Sequence, residues 1–151
     1  MRNSTRKAVP SLHFFNAVLQ EALRAEKLRR LRIPERNGGI KISLAIVAKA
    51  FLRSMNRSMR GKNTACDELS FCFYDKSSRR PMKHEYIGEI FIAVSPLKGR
   101  AQKRYYAQSF LHALFHVFGY NHEGRGLRYR KDEKLTEKFT QEALIRLERT
   151  W

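Results

Sequence analysis

An apolar segment in the last third of the chain carries three histidines, in the order His112-Ala-Leu-Phe-His116-Val-Phe-Gly119-Tyr-Asn-His122. On a helix, residues four apart project from the same face, so the imidazoles of His112 and His116 can hold one ion between them. Gly119 can adopt the left-handed conformation that ends a helix and turns the chain back. We therefore expect His122 to reach the same ion, which gives a three-histidine zinc site with one coordination position open.

A competing interpretation is that these histidines are core residues. A single histidine on an apolar helix is more often bonded to a carbonyl in the core, and we expect this for His13 and His84. The spacing of the three clustered histidines instead matches the metzincin zinc motif H-E-x-x-H-x-x-G-x-x-H, with Ala113 in place of the glutamate. A peptidase without that general base would lose on the order of 10²-fold in rate, so a protease is disfavoured. Phosphodiester cleavage depends less on such a base, because zinc acidifies bound water and arginine stabilises phosphoryl charge.

The charge balance indicates a polyanionic partner. The chain has 31 Lys and Arg against 14 Asp and Glu, a formal net charge of +17. Such a field favours nucleic acid, with a basic surface kept for solubility and an anionic membrane surface as alternatives. No apolar stretch approaches the roughly 18 to 20 residues that cross a bilayer, and two cysteines are too few for a disulfide framework. We expect a soluble cytoplasmic protein without a membrane anchor.

Residues 47–60 have a helical pattern with two chemically different faces. At about 100° per residue, apolar side chains fall on one side and cations on nearly the opposite side. The apolar set is Val47, Phe51, Met55 and Met59, and the basic set is Lys49, Arg53, Arg57 and Arg60. No acid stands between Arg36 and Cys66 to pair with these cations. We expect the apolar set to face the core and the basic set to bind phosphates, with a solvated face as the alternative.

Helix and strand patterns are mixed along the rest of the chain. Helical spacing starts after Ser11 and again around Leu135, and a third helix is expected from about Ala101 to Phe118. Strand patterns occupy residues 40–46, 69–74 and 86–94. This mixture predicts a single α+β domain with one sheet over residues 1–151.

Three segments together match the pattern of one known family. Residues 55–71, M-N-R-S-M-R-G-K-N-T-A-C-D-E-L-S-F, are similar to L-N-x-x-Y-R-G-K-D-x-P-T-D-V-L-S-F. Residues 88–93, G-E-I-F-I-A, are similar to G-D-I-V-I-S, and residues 112–122 are similar to H-G-x-L-H-L-x-G-Y-D-H. On these segments the chain resembles the YbeY family of bacterial rRNA maturation factors, described as metal-dependent endoribonucleases.

The resemblance implies a fold, a metal and a reaction. The fold would be a small α+β domain with a mixed sheet of about four strands and a metzincin-like metal helix. One Zn²⁺ per chain would be held by His112, His116 and His122, with Arg60 as the catalytic arginine. The leading hypothesis is a zinc-dependent, single-strand-directed endoribonuclease acting in rRNA maturation and ribosome quality control. Its partners would be rRNA and the small ribosomal subunit, with a small-subunit ribosomal protein as a further candidate.

Further residues receive roles in the same hypothesis. Lys62 would position the RNA backbone, while Lys49, Arg53 and Arg57 would bind phosphates without reading sequence. Asp67 and Glu123 are weaker candidates for proton transfer. The second hypothesis is a non-catalytic RNA- or ribosome-binding assembly factor with a structural zinc, and a metallopeptidase is the third. Departures from the family pattern leave rate and substrate open; they are Ala65, Cys66, Cys72, Glu89 and Asn121.

Overall fold

The structure is a computed structural model that describes residues 2–3, 8–25, 41–73, 86–121 and 126–151. Several sequence predictions fall outside these ranges and are not addressed by the structure. They concern His84, His122 and Glu123.

The sheet combines parallel and antiparallel pairing. Its full strands are β2 (Lys41–Val47), β3 (Glu68–Cys72) and β4 (Tyr86–Ala93), and a two-residue strand, β1 (Arg2–Asn3), adds at one edge. The order is β1-β2-β4-β3, with β2 parallel to β4 and β3 antiparallel to it. Strand β4 therefore lies inside the sheet, which explains why apolar side chains dominate both of its faces. The small mixed sheet expected from the sequence is confirmed.

The described helices cover both faces of this sheet. They are α1 (Leu12–Ala25), α2 (Lys49–Arg60), α3 (Gly99–Val117) and α4 (Leu127–Glu148). Helices α1, α3 and α4 share the larger core cluster with one face of β2 and β4. Helix α2 contributes to a smaller cluster around Leu52 and Leu69. The described elements form one α+β domain, as predicted, with α3 lying between the sheet and the other two helices.

Helix α1 begins where the sequence indicates. The Ser11 hydroxyl oxygen accepts a hydrogen bond from the Phe14 backbone N–H at 3.3 Å, which is an N-terminal cap. Phe15 packs edge-on against Phe110 of α3, with ring centroids 5.5 Å apart. The prediction that His13 is a core residue is wrong, because it lies on the exposed face of this helix.

Helix α2 faces the core with a strip of residues that only partly coincides with the predicted one. Phe51 and Met59 are 49% and 61% exposed, whereas Leu52 and Asn56 are buried. The Asn56 side-chain amide donates to the Thr64 carbonyl at 3.1 Å and so ties down the segment after the helix. This bond holds Asn56 on the buried side of α2, next to Leu52. Of the predicted apolar set, Val47 is buried and Met55 packs against the smaller cluster, so the apolar half of the prediction is wrong only for Phe51 and Met59. The cations are exposed as expected.

The end of α3 is set by a glycine and by close packing against the sheet. Gly119 has φ +93°, and its N–H donates to the His116 carbonyl at 2.9 Å, so the helix ends where expected. Gly88 of β4 lies close by: a Cβ there would come within 2.4 Å of the Phe71 carbonyl oxygen and 3.0 Å of Val117 Cγ1. Strand β4 can approach α3 this closely only because Gly88 has no side chain.

Among the described residues, no helix combines the length and apolar character that crossing a membrane requires.

Candidate active site

Two of the three predicted zinc ligands form a close pair on the last turns of α3. His112 and His116 lie one turn apart on one helix face, with ring centroids 4.8 Å apart. Their Nε2 atoms approach to 3.0 Å. Both rings are partly exposed, so the pair lies at the surface of the core with its Nε2 atoms on the same side. The third predicted ligand, His122, lies outside the described residues.

The backbone fixes which nitrogen of His116 can bind a metal. His116 Nδ1 lies 3.1 Å from the Tyr120 carbonyl oxygen. A carbonyl can only accept, so Nδ1 carries the hydrogen and donates it. In the neutral ring, Nε2 then keeps its lone pair and directs it toward His112. The turn at Gly119 brings the Tyr120 carbonyl to this position, so the helix end orients the imidazole.

A carboxylate to which the sequence motifs give no role lies against the histidine pair. Glu68 Oε1, at the start of β3, is 3.6 Å from His112 Nε2. The Glu68 side chain is 20% exposed and that of His112 is 41% exposed. A signal was present in the sequence, because the family pattern has an apolar valine where this chain has Glu68. It was missed because nothing local indicates that β3 packs beside α3.

Arg60 and His116 border the same cleft. The cleft has a volume of about 410 Å³ and is lined by Arg60, Glu68, His116 and Asn121, together with residues 69–72 of β3 and the turn at 119–120. Helix α2 ends at Arg60, where Gly61 adopts φ +68° and turns the chain toward β3. One cation, one carboxylate and an imidazole therefore border a single surface depression of substrate size.

The predicted phosphate-binding cations are exposed, but two already have protein partners. Lys49 Nζ forms an ion pair with Asp67 Oδ1 at 2.9 Å. Arg53 Nε donates to Asn63 Oδ1 at 3.1 Å. Arg57 and Lys62 are also exposed. The ion pair lies at the surface and so adds little to stability. It gives Asp67 a cationic partner on α2.

Asp67 also acts on a neighbouring phenol. Burial, followed by the charge of Asp67, raises the pKa of the Tyr105 hydroxyl well above its usual range. Tyr105 therefore remains protonated and neutral at physiological pH. Asp67 thus connects the start of β3 to both α2 and α3.

Another residue missed from the sequence holds the chain next to His122. Asp132 is fully buried in the second turn of α4. Its Oδ2 accepts a hydrogen bond from the Asn121 backbone N–H at 3.0 Å. A bond to a carboxylate is stronger than one between neutral groups, so this contact anchors the residue that precedes the third predicted ligand. The sequence gives Asp132 no distinguishing motif.

The donor set is compatible with zinc. Within the described ranges, no three His, Cys, Asp or Glu side chains converge closely enough to hold an ion by themselves. The paired Nε2 atoms nevertheless have the chemistry that zinc prefers, because at least one lone pair is directed by a hydrogen bond to the opposite ring nitrogen. The histidine pair therefore offers two of the three donors expected from the sequence, and the third, His122, lies outside the described residues.

The family model and the similar proteins that match this chain all carry the same description. A family model described as Endoribonuclease YbeY matches residues 2–144. Proteins named Endoribonuclease YbeY from Alkaliphilus metalliredigens and Leptospira biflexa are 35% and 30% identical over 109 and 105 residues. These matches cover 64% and 65% of this chain, and 69% and 66% of the respective relatives. The chain thus spans about two thirds of the length of each.

A solved structure supports the fold. The solution structure of a Thermotoga maritima protein superposes with a TM-score of 0.51, covering 95% of this chain and 87% of that one at 15% identity. At this identity the likeness concerns the fold alone.

Proposed function

The chain belongs to the YbeY family, and from that membership we propose that it is an endoribonuclease acting in rRNA maturation. The family match covers nearly the whole chain. In this proposal residues 1–151 form one metal-dependent hydrolase domain, the substrate is single-stranded rRNA of the small ribosomal subunit, and the reaction takes place in the cytoplasm. A small-subunit ribosomal protein as partner and a role in ribosome quality control belong to the same proposal.

The observation that carries the proposal is the cleft that Arg60 shares with His116. Phosphodiester cleavage requires a group that stabilises negative charge on the phosphoryl oxygens, and a guanidinium does this with two parallel N–H donors. Arg60 borders the cleft from the end of α2, while His116 borders it from α3. A phosphate placed in the cleft would therefore be within reach of both.

The metal proposed for this site is one Zn²⁺, held by His112 and His116 with His122 as the expected third ligand. When bound, such an ion supplies a Lewis acid and lowers the pKa of coordinated water toward neutrality. The Tyr120 carbonyl keeps the His116 ring in the orientation and tautomer this requires. The last turns of α3 would then act as a metzincin-like metal helix without the glutamate at position 113.

The basic face of α2 would bind the RNA beside the cleft. With a net charge of +17, the chain attracts a polyanion at long range. Arg53, Arg57 and Lys62 would contact phosphates, and Lys49 would do so after leaving Asp67. Contacts of this kind position the strand without reading its sequence.

The test compares zinc content, RNA binding and RNA cleavage in the same preparations. His116→Ala should lose zinc and cleavage while retaining RNA binding, because the basic face is unchanged. Arg60→Gln should retain zinc but cleave at least tenfold more slowly. His13→Ala and Arg24→Gln are matched controls: they make the same chemical changes at exposed positions of α1 and should behave as wild type.

Two other results would each indicate a different function. If purified wild type holds zinc and binds rRNA, but shows no cleavage that His116→Ala removes, the chain is a binding factor with a structural zinc. Cleavage of a casein-like substrate that depends on His116 would instead support a peptidase.

A further inference from the structure

We propose that Arg128 and Lys131, near the start of α4, form a second phosphate-binding surface, so that the RNA strand crosses the cleft instead of lying on the α2 side alone. The inference rests on the proposed function, because it concerns the same substrate. It assigns a role to two cations that belong neither to the histidine motif nor to the basic face of α2.

The cleft lies along one edge of the sheet. Strand β3 is an edge strand in the order β1-β2-β4-β3, and its residues 68–72 line the cleft. Helix α2 packs on the face of the sheet that carries Phe91, whereas α3 and α4 share the core cluster that contains Ile90. Neighbouring side chains of a strand point to opposite faces. The cleft is therefore bordered from both faces, by Arg60 at the end of α2 and by the turn at 119–121 after α3.

A buried carboxylate holds the start of α4 beside this turn. Asn121 lines the cleft, and its backbone N–H donates to Asp132 Oδ2 at 3.0 Å. Arg128 lies four residues before Asp132 on α4, so it lies one turn away on the same side of the helix. Lys131 is three residues after Arg128 and is its neighbour on the helix surface. Both cations therefore lie where their long side chains can reach a phosphate at the rim of the cleft.

Both side chains are available to an anionic ligand. Arg128 and Lys131 are exposed. Within the part of the chain that the structure describes, neither forms an ion pair with a carboxylate. Lys138 differs, because it lies 4.0 Å from Glu142 further along α4. A phosphate at the start of α4 could therefore be bound without breaking an ion pair of these two cations.

The charges at the start of α4 do not serve the helix itself. Its first turn contains Arg128 and Arg130 and no acidic residue. The first turn of a helix carries the positive end of the helix dipole, so cations are unfavourable there and acids are favourable. A bound phosphate would offset this repulsion. The placement of the charges thus suits a polyanionic ligand.

The experiment measures how the affinity for RNA depends on salt. Fluorescence anisotropy of a labelled single-stranded RNA is followed over a series of salt concentrations, and a denaturing gel shows that the RNA is intact after each titration. Arg128→Gln/Lys131→Gln should bind the RNA about three- to tenfold more weakly at low salt. The slope of log affinity against log salt should be smaller by about 1.4, because each lost contact with a single strand removes about 0.7.

Two further variants make the result specific to this surface. Lys98→Gln/Arg149→Gln removes the same charge from the residues that cap the far ends of α3 and α4, both exposed and each a helix length from the cleft. This variant should keep the wild-type slope. Arg128→Lys/Lys131→Arg keeps both charges and should also keep the slope. Zinc content should be unchanged in all three variants, which shows that the metal site is intact.

The outcomes separate this inference from the proposed function. If Arg128→Gln/Lys131→Gln keeps the wild-type affinity and slope while His116→Ala still abolishes cleavage, the start of α4 does not contact RNA and the endoribonuclease proposal stands. If Lys98→Gln/Arg149→Gln lowers the slope as much, the effect is one of net charge and the inference is overturned. If wild type does not bind single-stranded RNA, the inference and the proposed function fail together.

Discussion

Replacing Gly88 by alanine should destabilise the protein through a single steric clash. The added Cβ would lie 2.4 Å from the Phe71 carbonyl oxygen and 3.0 Å from Val117 Cγ1, whereas ordinary contact begins at 3.4 Å. Either β4 or its neighbour must therefore move by about 1 Å, the difference between 3.4 and 2.4 Å. The closer atom belongs to the backbone of β3, so rotation of a side chain cannot relieve the clash. Overpacking of this kind costs about 1–3 kcal/mol, and we expect the upper end.

The same clash should also displace residues of the proposed metal site. Val117 follows His116 directly, so a displacement at the end of α3 moves the imidazole and the turn that orients it. Gly99→Ala is the matched control: Gly99 has φ +59° and nothing within 4 Å of its added Cβ. Alanine in this left-handed conformation costs about 1–2 kcal/mol. Gly99 lies at the opposite end of α3 from His116.

Urea unfolding gives the free energy of each variant, and chelator competition gives its zinc affinity. Gly88→Ala should lose about 3 kcal/mol of stability and bind zinc more weakly, whereas Gly99→Ala should lose less stability and keep its zinc affinity. A Gly88→Ala variant within about 0.5 kcal/mol of wild type would refute the close approach of β4 to Phe71 and Val117 described here.

Two further substitutions test other parts of the structure. Leu52→Ala should lower the free energy of unfolding by about 2–5 kcal/mol, whereas Phe51→Ala should change it by less than about 1 kcal/mol; equal losses in urea unfolding would restore the α2 face expected from the sequence. Asp132→Asn should cost about 1–3 kcal/mol, because the Asn121 N–H loses a charged acceptor in a buried position, and should also weaken zinc binding. Unchanged zinc affinity in this variant would show that Asp132 does not position the segment before His122.

The sequence predicts the elements of this fold well because their signals are local. The cap at Ser11, the alternation in β2 and the glycine after His116 each depend on a few neighbouring residues. The face that α2 turns toward the core does not depend on neighbouring residues alone, because the residues packed beneath the helix decide it. There, Asn56 is buried because it bonds Thr64, and Phe51 is exposed although it is apolar.

The sequence predicts some residues of the candidate site and not others, for the same reason. The four-residue spacing of His112 and His116 places them on one helix face wherever the helix lies in the fold. The positions of Glu68 and Asp132 depend on how distant segments pack, and a single sequence does not contain that information. Arg60 is intermediate, because helical periodicity places it on the basic face while only the structure places that end of α2 at the cleft.

The most direct test of the account is the position of the bound metal. Crystals of the zinc-loaded protein, measured at the zinc absorption edge, should give one anomalous peak per chain about 2.0–2.1 Å from the Nε2 atoms of both His112 and His116, in the cleft that Arg60 borders. A peak bound through Nδ1 of His116, or one located away from this pair, would contradict the account.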